Sequence, residues 1–245
     1  MDPKERIRFA TAHTHVIRPP TQLLETFGQT QIHYYLLTEP SYSEINETTF
    51  PETVLREGKV IAEQPKLVTP QYMRRLEGFG DEVRRYFDMI ASSLGANSPG
   101  LLYTYRNEPG DLNILSGNLP SVAERINNDI IRKDDKKAAI IRGVDELWDV
   151  SLFKFIYELT EKSVKRNISE LEQQGLLAVD ASGVTVESRV RLERMFIQLA
   201  EGAISPASVK LELDRWSLFD EYQDRFFAAL KSNDKLRGGY ENISR

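Results

Sequence analysis

The chain has 245 residues, 40% of them apolar and 28% charged, enough to bury a sizeable core and too apolar for wholesale disorder. It contains no cysteine, which excludes disulfides, thiolate nucleophiles, cysteine-bound zinc and iron–sulfur clusters. The formal charge of −5 is spread along the chain, with 12 basic against 15 acidic residues up to Pro120 and 20 against 22 beyond it, so neither half is a basic nucleic-acid module.

The N-terminal segment carries charges with no apolar run behind them, so a secretory leader is not expected. The most apolar stretch, Val150 to Tyr157, is interrupted by Lys154 and falls far short of the roughly 20 residues of a membrane span. The expectation is a cytoplasmic protein without a membrane anchor. Leu23 to Phe27 and Thr30 to Thr38 read as strands joined around Gly28. Thr53 to Arg56 and Lys59 to Ala62 flank Glu57-Gly58, and Leu101 to Arg106 and Leu112 to Leu115 flank Asn107 to Asp111, two further hairpin signals. Between them Thr69-Pro70 opens a helix pair whose apolar residues recur from Tyr72 to Leu94.

From Leu119 the pattern turns helical. Ser121 and Glu124 form a capping-box pattern, and Trp148, Leu152, Phe155, Ile156 and Leu159 make one apolar stripe. Further stripes run through Val164, Ile168 and Leu171, through Val190 to Leu199, and through Leu218 to Leu230, with Ser205-Pro206 opening another helix. The fold class expected is α+β: a β-hairpin-rich region over 1–118 with an embedded helix pair, a helical region over 119–231, and a mobile tail over 232–245.

Within Ser163 to Val186 the order is helix, glycine stop at Gly175, apolar run at Leu176-Leu177, polar turn at Asp180 to Gly183 and a second short run at Val184 to Val186. Over roughly 145–186 this resembles the end of a winged helix-turn-helix domain. The resemblance implies a DNA-binding regulator whose recognition helix presents Lys162, Ser163, Lys165, Arg166, Asn167 and Ser169 to the major groove.

All three histidines fall within the first 33 residues. On a strand, His13 and His15 would share a face, and His33 on a neighbouring strand would complete a three-nitrogen metal site with Glu25 or Glu39 as a carboxylate option. Asp145, Glu146 and Asp149 read as the acidic first turn of a helix, and Trp148 as a core residue. No phosphate loop, metalloprotease helix or nucleophile elbow occurs, and no cofactor or catalytic residue is assigned. The leading reading is therefore a non-enzymatic protein that works by protein–protein interaction or self-assembly, with Trp216, Phe219 and Tyr222 as its expected surface. DNA binding and a histidine-dependent metalloenzyme are the alternatives.

Overall fold

The structure is a computed structural model that describes residues 2–41, 51–73, 75, 89, 92, 93, 95 and 97–241, the last eight of these by backbone alone. In chain order the elements are α1 (Pro3–His13), β1 (His15–Arg18), β2 (Thr30–Thr38), β3 (Glu52–Ala62), β4 (Lys66–Val68), α2 (Pro70–Met73), β5 (Gly100–Leu102) and β6 (Tyr105–Ser116). They continue with α3 (Leu119–Lys133), β7 (Ala138–Arg142), a 3-10 turn (Asp145–Leu147), α4 (Trp148–Gln173), α5 (Val186–Ala200), α6 (Pro206–Trp216) and α7 (Phe219–Glu241). The class is α+β, with a strand-rich N-terminal half and a mostly helical C-terminal half. Of the helix pair expected between Thr69 and Leu94, the opening turn α2 is seen, capped by Thr69 Oγ1 accepting from Tyr72 N at 3.3 Å. Almost all of the remainder lies outside the described residues.

Two compact units divide the chain, one of residues 1–65 with 103–170 and the other of 66–102 with 171–245. Residues on both sides of position 118 share the first unit's core, because Leu115 of β6 packs with Leu119 and Val122 of α3. At the other end, α7 continues to Glu241, ten residues past Lys231, and buried Asn233 lies against Gly202.

In the first unit a five-stranded sheet runs in the order β1-β7-β2-β3-β6. β2 and β7 are parallel and every other pair is antiparallel. Alternation along each strand sorts the core onto two faces. Leu37, Leu55 and Ile140 pack under α3, while Leu36, Val60 and Ile141 pack under Leu152, Phe155 and Leu159 of α4. β7 is therefore apolar on both faces, a short run inside a helical stretch of sequence that carries no strand periodicity of its own.

Both expected central turns are extended chain. Glu57-Gly58 lies inside β3 and Asn107 to Asp111 inside β6, where they oppose each other at a bulge between the Arg56–Leu112 and Gly58–Pro109 pairs. Gly58 is needed for close approach: a Cβ there would lie 2.4 Å from the Tyr34 hydroxyl and 2.8 Å from the Glu108 carbonyl oxygen. Leu23 to Phe27 forms no strand. α1 replaces the strand expected at His13, because Asp2 caps Pro3, and Glu5 completes a capping box. α3 is capped by Asn118, three residues ahead of the expected Ser121.

The second unit joins the two-stranded antiparallel sheet of β4 and β5, and α2, to α5, α6 and α7 around Tyr72, Leu192, Phe196, Leu213 and Trp216. A buried polar group sits in this core. Glu212 accepts from Arg191 Nη2 at 2.6 Å, from Tyr72 OH at 3.0 Å and from Trp216 Nε1 at 3.3 Å. Burial, with the Glu212 charge beside it, pushes the Tyr72 hydroxyl up to about 12.

Candidate functional site

The segment compared with a winged helix contains one unbroken 26-residue helix, α4. After Gly175, in the left-handed region at φ 68°, come the Asp180 to Gly183 turn and a single bridge between Val179 and Thr185, and α5 begins at Val186. The six expected DNA-facing residues are split by this helix. Ser163 and Asn167 are fully buried. Ser163 Oγ donates to Leu159 O and accepts from Leu24 N, and Arg166 Nη2 donates to Leu24 O at 2.7 Å. With its amide oriented so that the oxygen accepts from Tyr103 OH, Asn167 donates to Thr26 Oγ1 and Leu24 O. Burial pushes the Tyr103 hydroxyl up to about 12, against the opposing pull of its bond to Asn167. These side chains stitch loop 24–26 and Tyr103 to α4, which leaves Lys162, Lys165 and Ser169 as the exposed members of the set.

Of the expected interaction surface, Trp216 is 5% exposed and belongs to the second unit's core, and Phe219 and Tyr222 pack against that core at its margin. Exposed apolar side chains collect elsewhere. On α4, Phe153 and Tyr157 are 68% and 57% exposed, and Ile168 is exposed further along the same helix. The Trp148 to Leu159 stripe is the inward face of α4. Phe153 and Tyr157 lie off that stripe, and their position is the sequence signal for a second apolar face.

The chain matches no protein-family model, no curated protein and no solved structure.

Two of the three histidines meet in a cleft of about 540 Å³ in the first unit. α1 supplies Arg6, Phe9 and His13, and β1 supplies His15. The other walls are Glu39 to Ser41, which follow β2, and Arg142 to Leu147, which close β7 and lead into α4. Both parallel strands thus end at the cleft. Gly143 makes the exit from β7 possible, since a Cβ there would lie 2.7 Å from Ser151 Oγ at the start of α4. Asp145 is the most heavily bonded group in the wall: its carboxylate accepts from Arg56 Nη1 at 2.7 Å and from Thr38 Oγ1 at 2.9 Å. Burial opposes its charge, but the hydrogen bonds from Arg56 and Thr38 and the Arg56 charge outweigh burial and hold the carboxyl below the usual carboxylate range.

The three-histidine metal centre does not form. His15 aligns with Arg142 at one end of β7, whereas His33 aligns with Ala138 at the other, roughly 13 Å along the strand. His13 Nδ1 donates to Phe9 O at 2.8 Å, and His33 Nδ1 is bonded to Asp135 at 2.6 Å. Glu25 is paired with Lys137 and Glu39 with Arg142. Among the described residues, no group of three histidine or carboxylate side chains is placed to hold a metal ion. Also among the described residues, no helix is long and apolar enough to cross a membrane.

Proposed function

We propose that this protein acts by self-association, through the outer face of α4. The observation that carries the reading is the spacing of Phe153, Tyr157, Val164 and Ile168. Steps of four, seven and four residues return each side chain to one side of a helix, along about 22 Å of its length. Exposed apolar residues scattered singly are ordinary on a protein surface. Here three exposed side chains align with half-buried Val164 on one helix face and form a seam.

The spacing reads the same in both directions. An antiparallel pair of α4 helices about a two-fold axis therefore sets Phe153 against the second copy's Ile168 and Tyr157 against its Val164, the self-complementary contact of a two-fold dimer. Light scattering on the full chain at about 100 µM tests this. The expected mass is twice the 28.1 kDa of one chain. Phe153→Asp combined with Tyr157→Asp should return the protein to a single chain with an unchanged circular dichroism spectrum. A wild-type chain that is monomeric at this concentration, or a dimer indifferent to both substitutions, overturns the reading.

A further inference from the structure

We infer that the cleft at the ends of β2 and β7 binds a small zwitterion of the α-amino-acid class, a site distinct from the α4 face and independent of it. The cleft lies at the carboxyl ends of the sheet's parallel strand pair, and its volume of about 540 Å³ is of small-molecule size. Charge then narrows the ligand. Among the described residues five charged side chains line the cleft, and Asp145 is already matched by Arg56. The other four form two solvent-facing ion pairs, Arg142–Glu39 at 3.1 Å and Arg6–Glu146 at 3.3 Å.

Such exposed pairs hold weakly and can be exchanged. An anion entering alone matches only the arginine of a pair, and a cation only the glutamate. A molecule carrying both signs replaces a pair without stranding either partner. The imidazoles add unspent hydrogen-bonding capacity. His13 has its Nδ1 committed to Phe9 O, and among the described residues its Nε2 and both ring nitrogens of His15 have no hydrogen-bond partner. Phe9, stacked on His13 with ring centroids 4.0 Å apart, and Leu147 give the ligand's carbon skeleton an apolar wall.

The distribution of histidines supplies the test, because two line the cleft and His33 lies at the far end of β7 as an internal reference. Imidazole NMR signals of the full chain are followed while L-leucine, L-phenylalanine, L-glutamate and L-lysine are added singly. N-acetyl-L-leucine, which lacks the ammonium, and L-leucinamide, which lacks the carboxylate, are the one-charge controls. At least one amino acid should shift His13 and His15 saturably below about 10 mM and leave His33 in place. Where leucine binds, both controls should bind about tenfold more weakly or worse. Arg142→Ala and Glu39→Ala should each weaken binding by a similar factor with the His33 signal unmoved, which separates loss of the site from loss of the fold. No saturable shift with any of the four, a control binding as tightly as leucine, or His33 moving in parallel overturns the inference.

Discussion

At the level of single residues, Asp145 ties the end of β2 and the middle of β3 to the turn that starts α4. Its carboxylate receives Thr38 and Arg56, and the Arg56 guanidinium also lies 5.8 Å from the Trp148 ring centre. Because the folded carboxyl titrates below its unfolded counterpart, ionised Asp145 adds stability above the ordinary aspartate range. That stability is lost as pH falls through the depressed folded value. Asp145→Asn keeps an oxygen for Thr38 and Arg56 but removes the charge. It should cost roughly 1–3 kcal/mol at pH 7, and the difference from wild type should shrink as pH drops below the usual carboxylate range. Urea midpoints of both proteins across that range decide the matter; a gap that stays constant with pH would mean that Asp145 acts by shape alone.

Among the elements, the paired bulge of β3 and β6 is the most informative. Gly58→Ala forces a methyl group against Tyr34 OH on one side and the Glu108 carbonyl on the other, and the second of these is backbone on a paired strand. The expected loss is about 1–3 kcal/mol, read from urea denaturation followed by circular dichroism, and a neutral substitution would show that β6 shifts freely at this point. The same bulge explains what was legible in the sequence. Signals that act within a few residues were readable: β2 spans Thr30–Thr38 as expected, Ser205 caps α6, Gly175 ends the long helix, and Asp180 closes its turn by accepting from Ser182 N and Val184 N. Glu57-Gly58 and Asn107 to Asp111 carry the composition of turns, and only the pairing of distant strands turns them into a bulge. The polar run Thr160 to Ser163 lies inside α4, where the Thr160 and Ser163 hydroxyls donate to the carbonyls of Ile156 and Leu159 at 2.7 Å while the helix runs on unbroken. The cleft was half legible, since His13 and His15 stand out in the sequence. Glu39 reads there as a carboxylate beside the histidines, but its partner Arg142 does not stand out, because their meeting depends on β2 and β7 lying parallel across more than a hundred residues of sequence.

For the molecule as a whole, the separation of cores sets how it should unfold. The two clusters on the sheet faces draw every residue from the first unit, and the cluster around α5, α6 and α7 draws every residue from the second. The chain's two tryptophans divide the same way, Trp148 packing on the first unit's core and Trp216 inside the second's, so each reports on one unit. With Trp216→Phe only Trp148 fluoresces, and with Trp148→Phe only Trp216 does. Into each background we would introduce Ile141→Ala, which opens the first core, or Leu213→Ala, which opens the second, each at a cost of about 2–5 kcal/mol. Ile141→Ala should lower the urea midpoint seen by Trp148 and leave that of Trp216 nearly unchanged, and Leu213→Ala should do the reverse. The reason is local: removing apolar packing from one cluster weakens the state that buries that cluster, and neither cluster shares a side chain with the other. If both tryptophans report the same displaced midpoint for either substitution, the units unfold as one cooperative body, and the three crossings of the chain between them transmit as much stability as the cores themselves.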